Sequence, residues 1–156
     1  MSSSLSLTAS LTAAHAVPSF PTGRGLDGGW QPVCIARLHY HITWSTRAKA
    51  AVLTGKRVEA LKGILAGLCQ ERGIHLQATA VTPSHVHLVV SLRPSQLAAT
   101  AVRELKGRSA LALLRQCPDL RVALGGHLVW NDRYALATVS PRQLARLTER
   151  IASHGL

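Results

Sequence analysis

The order in which the hydrophobic pattern changes along the chain constrains the fold more than any other feature. Alternation with a period of two predicts strands, and apolar residues three or four positions apart predict amphipathic helices. The two patterns succeed one another in the order β-α-β-β-α-β-α. The predicted elements are a strand at 34–46, a helix at 54–72, strands at 74–81 and 85–90, a helix at 96–116, a strand at 128–139 (or a hairpin broken at 131–132) and a helix from 140.

This order is that of the split βαβ plan, which predicts an α+β fold of the ferredoxin-like (RRM-like) type. We expect an antiparallel sheet with helices on one face, βαββαβ plus a C-terminal helix, and the other sheet face free for a ligand. A basic, flexible interruption is expected at 106–109 in the second helix. The predicted buried stripes are Val102, Leu105, Leu111 and Leu114 in the second helix and Leu144, Leu147 and Ile151 in the last.

Two histidines open the strand that follows the turn Thr82-Pro83-Ser84. Alternate residues of a strand share a face, so His85 and His87 point the same way, with Cα atoms about 7 Å apart. Two imidazoles at that spacing can hold one divalent metal ion, and the alternative is a pair of solvated histidines on a half-buried strand. On the first strand His39 and His41 share one face, where they either add ligands or meet solvent or DNA.

The charge balance indicates a polyanionic partner. The chain has 18 Lys and Arg against 7 Asp and Glu, a net charge of +11, so nucleic acid is the simplest partner. The alternative is an ordinary protein that happens to be basic. Candidate DNA-binding residues lie in two basic stretches: Arg47, Lys49, Lys106 and Arg108. With 4% aromatic residues and none at 85–90, an RNA binder that stacks bases on its central strands is disfavoured.

The cysteines and the N-terminal segment bound the setting and the domain. Cys34, Cys69 and Cys117 are far apart and form no C-x-x-C motif, which favours a reducing compartment and a role as small core residues. Residues 1–32 are rich in Ser, Thr, Ala, Pro and Gly and lack a basic start, which predicts a disordered extension rather than a signal peptide. The folded domain is expected at 33–156, and no apolar run is long enough to span a membrane.

Four motifs in order and spacing give the chain a family resemblance. They cover about 38–154 and are the segments 40–47 (YHITWSTR), 85–90 (HVHLVV), 105–109 (LKGRS) and 126–139, which runs from GHLVW to YALATV. Together they resemble the small HUH single-strand transposases of the insertion sequence 200/605 type. The resemblance implies a bacterial, cytoplasmic, nucleoid-associated homodimer that binds single-stranded hairpin DNA at element ends, for strand cleavage and rejoining.

The resemblance also implies a set of site residues. His85 and His87 would hold Mg²⁺ or Mn²⁺, which polarises and orients the scissile phosphate. The third ligand, a glutamine in the family, falls on His154 in a gapless count. The family's tyrosine nucleophile, which forms a 5′-phosphotyrosine, falls on Arg150, or on Ile151 with a shift of one residue.

Neither residue at the nucleophile position can attack phosphorus, and this is the main departure from the family pattern. The only tyrosines of the sequence are Tyr40 and Tyr134, both interpreted as structural, with Tyr134 kept as a remote catalytic candidate. Two functions therefore stay open. One is a transposase, active or impaired in cleavage, and the other is a non-catalytic DNA-binding protein derived from such an enzyme.

Overall fold

The structure, a computed structural model, describes residues 37–154, with side chains described as far as Ser153. Its strands are β1 (Leu38–Thr46), β2 (His75–Val81), β3 (His85–Leu92) and β4 (Trp130–Val139). Its helices are α1 (Lys56–Glu71), α2 (Ala98–Gln116), the short α3 (Asp119–Ala123) and α4 (Pro141–His154), and a 3₁₀ turn at Arg47–Lys49 follows β1.

The strands form one antiparallel sheet in the order β2-β3-β1-β4. The central strand β3 is apolar and β-branched from Val86 to Val90 apart from His87, and its residues Val86, Leu88, Val89 and Val90 are fully buried, as expected for a strand with neighbours on both sides. With two helices connecting the split halves, this topology confirms the predicted ferredoxin-like α+β fold.

One face of the sheet forms the main hydrophobic core. Ile42 and Trp44 of β1 and Leu88 of β3 are at most 1% exposed, and they pack against α1 and α2. The helices contribute their own buried side chains, Leu61, Leu65, Leu105 and Leu113. Trp130 closes the core at the start of β4. Its ring lies edge-on to that of Trp44, and the two ring centroids are 5.9 Å apart.

The second face is partly covered by α4, which corrects the expectation that this face would be free. Leu144, Leu147 and Ile151 form the predicted apolar stripe, and Ile151 is fully buried. They pack on the small patch Ala78, Ala80 and Val89 of β2 and β3. What remains open is the part of the face nearer β1 and β4.

The sequence explains where α4 begins. Pro141 occupies the first helical position, where a backbone N–H would have no partner within the helix, so the N–H that proline lacks costs no hydrogen bond. The side-chain oxygen of Gln143 accepts hydrogen bonds from the Ser140 backbone N–H at 3.3 Å and from its hydroxyl at 3.0 Å. These bonds form one half of a capping box, and they tie the residue before the helix to its first turn.

Two predictions about α2 are wrong. The helix is continuous through residues 106–109, because Ser109 is buried and its hydroxyl accepts a hydrogen bond from the Trp130 indole N–H at 3.1 Å. Leu111 is 59% exposed and Leu113 is buried in its place. The predicted stripe assumed a single buried side, whereas the helix packs against both α1 and the sheet and so buries a different set of residues.

The remaining sequence predictions have mixed outcomes. Cys69 and Cys117 are buried, as expected, whereas Cys34 and the predicted extension at 1–32 lie outside the described residues. The short helix α3 was not predicted, and β4 is a single strand rather than a hairpin. In the described part of the chain, no helix has the length and apolar character needed to cross a membrane.

Candidate functional site

The turn at 82–84 places the two histidines of β3 at the edge of the open second face. The Thr82 hydroxyl accepts a hydrogen bond from the His85 backbone N–H at 3.0 Å, which fixes the start of the strand. His85 and His87 then share a face as predicted, with ring centroids 6.4 Å apart and ring planes 30° from parallel. Both are partly buried, so solvent and ligands can reach them.

A third imidazole lies beside this pair. Because β1 pairs with β3 so that Thr43 is opposite His87, His41 lies diagonally across the strand boundary from His87. The two rings stack at 5.6 Å between centroids, and His41 Nε2 is 3.4 Å from His87 Nδ1. The sequence placed His41 on an exposed face of its strand, but only the register brings it against His87.

Within residues 37–153, hydrogen bonds occupy one nitrogen of each histidine of the pair, and the other nitrogen has no hydrogen-bond partner. His85 Nδ1 is 2.8 Å from the Ser84 hydroxyl, and His87 Nδ1 is 3.2 Å from the Thr43 hydroxyl. In both rings the contact uses Nδ1, so Nε2 is the nitrogen left for another partner. A hydrogen bond at the far nitrogen is what fixes the tautomer and orientation of a metal-binding histidine.

The surroundings favour the neutral form of two of the three rings. Burial lowers the pKa of His87, and the neighbouring His41 and His85 lower it further. Burial also lowers the pKa of His41, with a further contribution from the positive charge of Arg150. A neutral imidazole has a free lone pair, which is the form that binds a metal ion.

The donor set fits a divalent ion only in part. The two Nε2 atoms on one face are suitable ligands, and hydrogen bonds from Thr43 and Ser84 hold their rings. Yet among residues 37–153 no group of three His, Cys, Asp or Glu side chains converges on one point. His154 ends α4, and its side chain lies outside what the structure describes. Two imidazoles alone select weakly among divalent ions and leave other positions for oxygen ligands.

Both tyrosines face away from these histidines. Tyr40 is opposite Val90 and Tyr134 is opposite Trp44, so each lies on the face of the main core. The Lys106 ammonium lies 5.8 Å from the centre of the Tyr134 ring on that side. The sheet itself therefore separates Tyr134 from His85 and His87, and the geometry gives no support to its remote catalytic role.

The two residues at the family's nucleophile position have different surroundings. Ile151 is fully buried against the sheet, whereas the exposed Arg150 lines an open groove together with His41. If the gapless count is right, an exposed guanidinium occupies the position where the resemblance implies a phenol.

Most of the predicted DNA-binding side chains make contacts within the protein. Arg47 pairs with Asp132 at 3.3 Å, and Arg108 pairs with Glu71 at 2.8 Å. The Lys106 ammonium donates to the backbone carbonyls of residues 131–133 at 2.7 to 3.3 Å, and burial lowers its pKa. Lys49 is exposed in the 3₁₀ turn, where its positive φ of 53° is unusual for a residue other than glycine. No described hydrogen bond or ion pair joins any of these four residues to the histidines.

Comparison with known proteins identifies the family. The family model described as transposase, IS200-like, matches residues 34–154. The ISDra2 transposase TnpA of Deinococcus radiodurans is 34% identical over 119 residues, which are 76% of this chain and 85% of that protein. The transposase for insertion sequence element IS200 of Salmonella typhimurium is 25% identical over 100 residues, 64% of this chain and 66% of that protein.

Solved structures agree with the sequence relatives. A crystal structure of a Deinococcus radiodurans R1 protein assigned as a transposase superposes with a TM-score of 0.66 at 30% identity, covering 79% of this chain and 95% of that one. The REP-associated tyrosine transposase bound to a REP hairpin shares the fold, with a TM-score of 0.55 at 17% identity over 79% and 69% of the two chains. From residue 34 to residue 154, this chain belongs to the IS200-like transposase family.

Proposed function

We propose that this chain binds single-stranded hairpin DNA at the ends of an insertion element, in the bacterial cytoplasm at the nucleoid, for strand cleavage and rejoining in DNA transposition. The observation that carries the proposal is the pair His85 and His87, with both Nε2 atoms free on the open face of the sheet. Family membership and the net charge of +11 support DNA as the partner.

The residues of the site have distinct parts in this function. His85 and His87 would hold Mg²⁺ or Mn²⁺, which supplies charge to polarise and orient a phosphodiester. Thr43 and Ser84 orient the two rings through their Nδ1 atoms. We propose His154 as a further ligand, from its place at the end of α4, the helix that crosses this face.

We further propose that the protein acts as a homodimer. Strand β4 is an edge strand of ten residues, and its outer side has no partner among the described strands. Its side chains are exposed along most of its length, including the apolar Leu136 at 38%. A long edge of this kind is a template for pairing with another strand, and a second copy would provide one. Light scattering of the purified protein would test the stoichiometry.

A second candidate is a non-catalytic DNA-binding protein derived from such a transposase. The observation that favours it is the position of Tyr40 and Tyr134 on the far side of the sheet from the histidines. The gapless count, which predicts Arg150 at the nucleophile position of the family, supports the same reading. Such a protein would keep hairpin binding with a steep dependence on salt and no requirement for metal.

A cleavage assay separates the two candidates. The protein would be mixed with Mn²⁺ and a labelled single-stranded hairpin from the flanks of its own gene, beside a His85→Ala variant. A covalent protein–DNA adduct that the variant fails to form means an active transposase, and mapping it names the nucleophile. Hairpin binding without an adduct identifies the binding protein, and the absence of hairpin binding refutes both.

A further inference from the structure

We propose that three arginines of α4, Arg142, Arg146 and Arg150, bind the phosphate backbone of single-stranded DNA and direct it toward His85 and His87. We call them the arginine row. This inference rests on the proposed function, because it assumes that the ligand is DNA. It assigns the phosphate contacts to α4 instead of to the four basic residues that the sequence suggested. It holds for an active transposase and for a binding protein alike.

The row follows one side of the helix. Residues four apart on an α-helix share a face and are about 6 Å apart along the axis. The three arginines are all exposed, and together with His41, Gln143 and Leu147 they line a groove of about 470 Å³ between α4 and the sheet. The opposite side of the groove is the end of β4, residues 137–139.

No arginine of the row forms an ion pair within the described part of the protein, although Glu149 lies on the same helix. The acidic partners of the five ion pairs are Glu59, Glu71, Glu104, Asp119 and Asp132, and none of these pairs includes an arginine of α4. Like charges four apart on a helix destabilise it, so the row lowers the stability of α4 until an anion binds. Three guanidiniums in line match a repeating anion such as a phosphodiester chain.

The groove adjoins the histidine pair through His41. Arg150 and His41 both line it, and His41 stacks on His87, with His41 Nε2 3.4 Å from His87 Nδ1. Beside His41 the strand β4 contributes only the small side chain of Ala137. A DNA strand bound along the row would therefore be directed to His41 and, through it, toward the histidine pair.

The test compares two triple variants that remove the same charge from opposite faces of the sheet. Arg142→Gln/Arg146→Gln/Arg150→Gln removes the row. Three exposed arginines outside every described ion pair supply the control, which is Arg103→Gln/Arg115→Gln/Arg121→Gln. The probes are a labelled hairpin with a single-stranded flank and the same flank alone, and binding is measured by fluorescence anisotropy over a range of salt concentrations.

Each phosphate contact contributes about 0.7 to the salt slope of single-strand binding, so losing three contacts should lower the slope by about 2. At physiological salt the same relation predicts a loss of affinity for the flank on the order of 50-fold. The control should bind the flank much as the wild-type protein does. An Arg142→Lys/Arg146→Lys/Arg150→Lys variant, which keeps the charge, should retain most of the binding.

The outcomes distinguish the two levels of the proposal. Wild-type protein that binds neither probe would overturn the proposed function and this inference together. If the wild-type protein binds the flank and the row variant binds it equally well, with the same salt slope, only the inference is overturned. If the triple variant fails to fold by circular dichroism, the single Arg146→Gln variant decides the question, since its slope should fall by about 0.7.

Discussion

Truncating Ile151 to alanine should detach α4 from the sheet without unfolding the rest of the domain. Ile151 is fully buried, and the patch it packs against consists of Ala78, Ala80 and Val89. The main core between α1, α2 and the other face of the sheet does not include it. The helix therefore depends on three apolar side chains, of which Ile151 is the most buried.

The magnitude follows from the burial. Three carbons are lost at about 0.8 kcal/mol each, and a cavity term is added because the backbone of β2 and β3 cannot collapse into the space. We expect the free energy of docking α4 to fall by about 3 to 4 kcal/mol, within the range of about 2 to 5 known for such truncations. An Ile151→Val variant should lose only about 1 kcal/mol.

Hydrogen exchange measures this locally. Since 1.4 kcal/mol is about tenfold in an equilibrium, amides of α4 should exchange on the order of 100- to 1000-fold faster in Ile151→Ala. Amides of α1 and β3 should change little. The control is Val122→Ala, because Val122 is 82% exposed and its truncation removes no packing. Equal acceleration in α4 and α1 would refute the reasoning, since it would mean that the helix and the main core open as one unit.

Three further predictions concern single side chains. Thr43→Val removes the hydroxyl beside His87 Nδ1, so Mn²⁺ affinity measured by calorimetry should fall at least about 10-fold, and an unchanged affinity would deny Thr43 its orienting part. Ser109→Ala leaves the buried indole N–H of Trp130 without an acceptor, so urea unfolding should report a loss of about 1 to 3 kcal/mol, and a loss near zero would contradict this. Burial raises the pKa of the Cys69 thiol to about 11, so iodoacetamide at pH 8 should label its peptide only after denaturation, as judged by mass spectrometry; rapid labelling of folded protein would show that the thiol is accessible.

The fold could be predicted because its signals are local. Alternation in β1 and β3 and the apolar stripe of α4 each depend on a few neighbouring residues, and the order of elements then allows few topologies. The shared face of His85 and His87 follows from strand geometry alone.

The parts that sequence could not provide depend on contacts between distant segments. The stacking of His41 on His87 requires the register of β1 with β3. The sequence alone suggests that Arg108 is available to bind DNA. The fold brings Glu71 of another helix close enough to form an ion pair with it. The arginine row has a local signal, because three arginines four residues apart are visible in the sequence, but the groove they line exists only once α4 packs on the sheet.

The separation of the two hydrophobic clusters has a consequence for a shortened chain. The main core uses side chains from Ile42 to Trp130 and none from α4. A product that ends after β4 would therefore keep the buried side chains of that core and display the histidine pair on the sheet. It would lack the arginine row, the apolar stripe of α4 and the groove that this helix forms with the sheet.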